Sequence, residues 1–231
     1  MSELFSIQLQ NRQQQGRDGV WLDLPTTTEQ VQAALRQIGI SSDNPQGLFI
    51  SGYFAEEEKR FAIPYNMVLA SNVDELNFLA SRLETLSTGE RAELNAALQA
   101  PQSELFSIGR ITDFPENVDY YVHLPDVHGP AQLGDYYLNR SGMVDMPEEW
   151  KGGIDTAQFG RYVAQQEQGV FTEYGYLVKS GDAWQKVHEG QPVPEEYRVL
   201  SFPASEILRD AANIPPPVQP ETEPQKVIPI I

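Results

Sequence analysis

Carboxylates are the side chains in this sequence with the greatest capacity for chemistry. They occur as adjacent sets: Glu56-Glu57-Glu58, Asp74-Glu75, Glu148-Glu149 and Glu195-Glu196. A glycosidase needs two carboxyl groups at a fixed separation, one of them kept protonated by an apolar wall. Neighbouring acids in polar runs face water instead, so a carboxylate-dependent hydrolase stands only as an alternative reading. His123 and His128 flank Asp126 in "HLPDVH". The four residues between the histidines form a proline-containing loop with no defined ligand geometry and no third partner, so no metal site is expected. His188 lies among polar residues and is expected at the surface. The chain has no cysteine, which excludes disulfides, thiolate ligands and cysteine nucleophiles. No G-x-S-x-G elbow, P-loop or G-x-G-x-x-G is present. The expectation is a protein without cofactor that is not an enzyme.

What remains is the charge itself. Aspartate and glutamate number 33 against 16 lysines and arginines, a net of -17 over 231 residues. Acidic and basic residues number 8 and 5 over 1–66, 8 and 3 over 67–117, 13 and 6 over 118–200, and 4 and 2 thereafter. No acidic tail accounts for the total; the folding segments carry it. Such a surface repels nucleic acid and anionic membranes and attracts proteins with basic clefts. Tyr120, Tyr121, Tyr136, Tyr137, Tyr162, Tyr174 and Tyr176 crowd the last folding segment, from residue 118 on. They alternate with Asp119, Asp135 and Glu173 rather than with basic residues, so they read as half-buried tyrosines and not as a base-stacking platform.

The chain must position these acids on folded elements, and 40% apolar residues suffice for a core. "MSELFSIQLQNR" lacks the basic start and apolar run of a secretory leader, and no stretch approaches the roughly 18 apolar residues that span a bilayer. The expectation is a soluble, cytoplasmic protein; the "NRS" at 139–141 then carries no glycosylation meaning. "LFSIQLQ" (4–10) and "GVWLDLP" (19–25) read as a strand pair. A Thr26/Glu29 capping box then opens a helix with Val31, Ala34, Leu35 and Ile38 on one face, and "GLFISGYF" (47–54) is a third strand. Two amphipathic helices follow, opened by Ser71/Asp74 and Ser87/Glu90, with Leu76, Leu79, Ala80 and Leu83 forming one stripe. "SELFSIGRI" (103–111) reads as a short helix, although "SELFSI" at 2–7 reads as strand; no repeat continues from the pair. Then come a strand at 118–125, a helix over "AQLGDYYLNRSG", a helix over "DTAQFGRYVAQQ" and one strand over "GVFTEYGYLVK". "AWQKV" and "YRVLSF" are candidate short strands, and a proline-rich stretch from about 204 reads as a flexible tail.

"VWLDLP", "VDELNFLASRLETL", "LGDYYL", "IDTAQFGRYV" and "GVFTEYGYLV" occur in an order that resembles the ArdA antirestriction family over roughly residues 5–180. The resemblance implies inhibitors of type I restriction-modification enzymes, carried on mobile elements. It implies an α+β fold of three small domains in a row: 1–66, 67–117 (helical) and 118–203, with the tail 204–231. It also implies a homodimer whose elongated acidic surface imitates bent B-form DNA in the methyltransferase core. The chain departs from that pattern in "EEEKR" (56–60), in an extension over about 181–203, in the tail, and in a helix at "IDTAQFGRYV" that is less acidic and less tyrosine-rich.

Charge density fits the same reading. B-DNA bears one charge per roughly 1.7 Å of axis, so the carboxylates of a dimer would correspond to a track on the order of 100 Å. The candidate partner-facing acids are Asp74, Glu75, Glu84, Glu93, Asp113, Glu116, Asp119, Asp126, Asp135, Asp145, Glu148, Glu149, Asp155, Glu167 and Glu173. In "GRYVAQQEQGVFTEYGYLV", Phe159, Val163, Phe171 and Tyr174 should pack while Asp155, Glu167 and Glu173 project, with Arg161 pairing to one of them. An acidic adaptor for some other basic protein is the runner-up.

Overall fold

The computed structural model describes residues 3–14, 18–57, 60–101 and 103–204. The proline-rich tail, part of the first hairpin loop, and Glu58 and Lys59 of the acidic run lie outside them. The described chain is a mixed α+β protein with eight α-helices and two small antiparallel sheets. None of its helices is long and apolar enough to cross a membrane.

The first sheet has the order β2-β1-β3, from β1 (Phe5–Asn11), β2 (Val20–Leu24) and β3 (Leu48–Phe54). Alternation in β1 buries Phe5, Ile7 and Leu9 against helix α1 (Thr28–Gln37), whose Val31, Ala34 and Leu35 are buried in turn. Buried Asn11 closes the unit. Its amide donates to the carbonyls of Ile38 (3.0 Å) and Gly39 (3.3 Å), where Gly39 takes a left-handed φ of 66°. The helix is capped one residue later than the sequence suggests, by Thr27 with Gln30. Thr26 is occupied elsewhere: its N–H donates to Asn77 Oδ1 at 2.7 Å.

Helix α2 (Tyr65–Leu69) is short and has no capping signal in the sequence. Helix α3 (Val73–Leu83) is capped by Asn72 and Glu75 rather than Ser71 and Asp74; the Ser71 hydroxyl turns back to the Met67 carbonyl at 2.8 Å. Helix α4 (Thr88–Gln99) opens on the expected Ser87/Glu90 box. The expected apolar stripe of α3 is buried throughout. Helix α5 (Ile108–Thr112) starts only at the end of the second "SELFSI". One apolar cluster runs from Leu4, just before β1, through these helices to Phe114, and takes in Tyr121, Leu177 and Val199 from further along the chain.

The second sheet has the order β4-β6-β5, from β4 (Tyr121–Leu124), β5 (Val170–Thr172) and β6 (Gly175–Lys179). The stretch expected as one strand over 169–179 is a hairpin. Thr172 pairs with Gly175 across a Glu173-Tyr174 turn, and the Thr172 hydroxyl donates to the Gly175 carbonyl at 2.8 Å. Gly175 has φ of 120° and lies against the Leu124 carbonyl, where no side chain fits. The candidate strands "AWQKV" and "YRVLSF" are not strands; one 3-10 turn, Glu195–Tyr197, is the only regular element there. The backbone amides of Gln185, Val187, Val199 and Leu200 in these stretches go to side chains instead, as described below.

Helix α6 (Pro130–Asp135) widens into a π-turn over Tyr136–Arg140, α7 (Glu148–Lys151) is one turn long, and α8 (Thr156–Glu167) crosses α6 closely. A Cβ on Gly134 would overlap the Thr156 carbonyl, and one on Gly160 would overlap the Pro130 carbonyl. Because both obstacles are backbone, Gly134→Ala and Gly160→Ala should each cost about 1–3 kcal/mol of stability in denaturant unfolding. Gly89→Ala, at an open position of α4, should be neutral or stabilise by up to about 1 kcal/mol. Equal effects at all three sites would overturn this account of the α6–α8 contact.

Candidate acidic interface

The acids singled out by the sequence divide into those turned outward and those consumed by the fold. Asp119, Asp126, Asp145, Glu148, Glu149, Asp155 and Glu173 are exposed. Most sit in loops or at helix starts, where no apolar face competes for them. Asp155 caps α8 through the Gln158 N–H at 3.0 Å, and Glu173 at the hairpin tip accepts from the Gln99 amide. Glu148 is paired with Lys151. Asp135 is half-exposed and paired with Arg140 at 3.0 Å. Glu84 is half-buried at the end of α3.

Asp113 is fully buried, with its carboxylate accepting from the N–H groups of His188 (2.6 Å), Val187 and Glu189 (both 3.2 Å). Asp74 Oδ1 accepts from Val199 and Leu200, each at 2.7 Å. Neither projects to a partner: the irregular segment 180–204 has no ladder to satisfy its amides, and these carboxylates serve as its acceptors. Glu116 is held by Arg82, and Glu75 is spent on the cap of α3. Glu167, expected to project, turns inward and accepts from the hydroxyls of Tyr137 and of Tyr176, the latter at 3.1 Å. Two buried phenols need an acceptor, and the last turn of α8 supplies it. Phe159, Val163, Phe171 and Tyr174 are half-buried as expected, whereas Arg161 is exposed with no acid in ion-pair range among the described residues.

Other acids lie outside the candidate partner-facing set. Glu104 and Glu189 bracket Arg110, at 3.0 Å and 3.2 Å, and the guanidinium also lies over the rings of Phe106 and Trp184. Glu29, Asp43, Asp182, Glu195 and Glu196 are exposed.

His123 Nε2 meets the Tyr174 carbonyl at 2.7 Å, and no set of three potential ligands comes together among the described residues. His188, expected at the surface, is half-buried edge-on against Phe78, with ring centroids 4.9 Å apart.

Among the described residues, Glu93 on α4 is the carboxyl held well above its ordinary range. Burial, then the nearby charges of Glu90 and Asp119, push it up to about 8, and one of its oxygens is buried without a hydrogen-bond partner. A carboxyl whose folded pKa is raised contributes stability that is present in full below the unfolded value of about 4.5 and is lost as pH rises through about 8. Melting temperature should therefore decline between those limits in the native protein. Glu93→Gln, which keeps the shape without the charge, should remove that part of the decline. An unchanged pH profile in the variant would show that Glu93 ionises freely.

No curated protein matches the chain. A family model described as Antirestriction protein (ArdA) matches residues 15–178. That span holds all eight helices and every strand of both sheets except β1, which precedes it, and the last residue of β6, and the chain belongs to the ArdA antirestriction family.

Proposed function

We propose that this protein blocks type I restriction-modification enzymes by occupying the DNA-binding cleft of the methyltransferase core as a mimic of DNA. The observation that carries the reading is the distribution of unpaired charge. Asp119, Asp126, Asp145, Glu149, Asp155, Glu173, Glu195 and Glu196 are exposed, with no cation in ion-pair range among the described residues. Meanwhile Arg82, Arg110, Lys179 and Lys186 are tied to a few acids elsewhere. Exposed carboxylates without a cation partner are what a cleft lined by lysine and arginine selects. The target, the cytoplasmic setting and the three-domain, elongated form belong to this proposal, as does the homodimer. Met143, Trp150 and Tyr162 in the third unit are 75%, 69% and 59% exposed, and apolar side chains so exposed suit self-association.

A hydrolase is disfavoured by the placement of its would-be parts. A groove of about 950 Å³ is lined by Glu75 and Glu189 among mostly apolar and hydroxyl side chains, and not by Glu93. Burial acts to raise the Glu189 pKa, but hydrogen bonds from Arg110 and Lys186 outweigh it and leave the carboxyl below its ordinary value. That is the reverse of what a general acid needs.

The deciding experiment is competition: the purified protein should displace DNA from a type I methyltransferase core. Single reversals such as Asp126→Lys, Glu149→Lys or Asp155→Lys should each weaken binding by less than about tenfold, because the charge is spread and wet. Loss of all binding from one such reversal, with the fold intact, would contradict a distributed surface. Affinity should also fall with added salt, more gently than the ~0.9 per phosphate of DNA itself, since condensed counterions are denser on DNA. A salt-independent affinity would mean that apolar contacts dominate.

A further inference from the structure

The family match ends at residue 178, yet the next 25 residues are closely tied to the body. They start at the second sheet, where the Ser180 N–H donates to the Tyr120 carbonyl at 3.0 Å. Asn117 then grips Gln185 in both directions, accepting from its N–H at 2.7 Å and donating to its carbonyl at 3.0 Å. Asp113 takes the next three amides, 187 to 189. Further on, the Phe78 ring lies against both His188 and Tyr197, and the Asn77 amide donates to the Tyr197 carbonyl at 3.0 Å. Asp74 takes the amides of 199 and 200. The path ends on the first unit: Gln32 of α1 donates to the Ser201 hydroxyl at 3.2 Å, and the Ser42 N–H donates to the Pro203 carbonyl at 3.1 Å.

Starting on one sheet unit, crossing α5 and α3, and finishing on the other, this segment adds a second connection between parts that the helices between them also join. The second sheet unit has a small core of its own, Val127, Leu133 and Tyr176, and reaches the main cluster chiefly through Tyr121 and Leu177. A tether with anchors on both sides restricts rocking at that junction, and carboxylate acceptors make its bonds stronger than neutral ones. We propose that residues 180–203 are a brace that fixes the second sheet unit relative to the first. The inference goes beyond the antirestriction reading and does not depend on it.

The absence of native cysteine permits a direct test on the full chain. Spin labels at Asp23→Cys on β2 and Asp126→Cys after β4 report the distance between the units. Asp113→Asn keeps the shape but turns an NH2 toward amide donors. Amides 187 to 189 should then exchange with solvent at least about tenfold faster, and the distance distribution should broaden. Leu200→Pro, which removes one donor to Asp74 at the far end, should broaden it too, and carries the test if Asp113→Asn does not fold. Faster exchange with an unchanged distribution would reduce the segment to a surface attachment and overturn the brace, as would no change in either measurement.

Discussion

Three successive backbone N–H groups converge on the side chain of Asp113, and much of the architecture turns on that convergence. A segment that is neither α-helix nor strand has few internal partners for its amides, and burying them unpaired costs about 1–3 kcal/mol each. Asp113 removes that cost for residues 187–189, and Asp74 does so for 199 and 200. With those amides satisfied, His188 and Tyr197 can close over Phe78, and Val199 can join the main core. The placement of Glu189 beside Arg110 follows from the same anchoring, since its own N–H is one of the three.

The acidity of the chain therefore has two physical roles that net charge cannot separate. Some carboxylates are internal acceptors, fixed by amides, phenols or guanidinium groups. Others stand in water at loop tips and helix starts, where a partner can reach them. Only the second kind contributes to an exposed acidic face. Glu93 belongs to neither: burial, with Glu90 and Asp119 nearby, raises its pKa above that of an ordinary glutamate.

Patterns governed by local geometry were legible in the sequence. The buried stripe of α3, the Ser87/Glu90 cap, the three strands of the first sheet and the α+β class follow from period and capping chemistry. Caps in runs of eligible residues were misplaced, because Thr26 and Thr27, or Ser71 and Asn72, differ only in which tertiary partner claims them. The β5–β6 hairpin was hidden because its turn, Glu173-Tyr174, carries no Asn-Gly signature and depends on Gly175 fitting against Leu124. Among the acids, exposure at Asp126 or Glu149 agrees with a polar neighbourhood. The inward roles of Asp74, Asp113 and Glu167 were not readable, since their partners lie on distant elements or arrive from a segment with no regular structure.

The pentapeptide "ELFSI" occurs at 3–7 and again at 104–108. In the first copy it runs into β1 with the Phe5 ring 1% exposed; in the second it leads into α5 with Phe106 64% exposed. An antibody raised against this short peptide would thus find two epitopes in the denatured chain. In the native protein it would have access to the phenylalanine of the second copy alone, which makes such a reagent a conformational probe of the first strand.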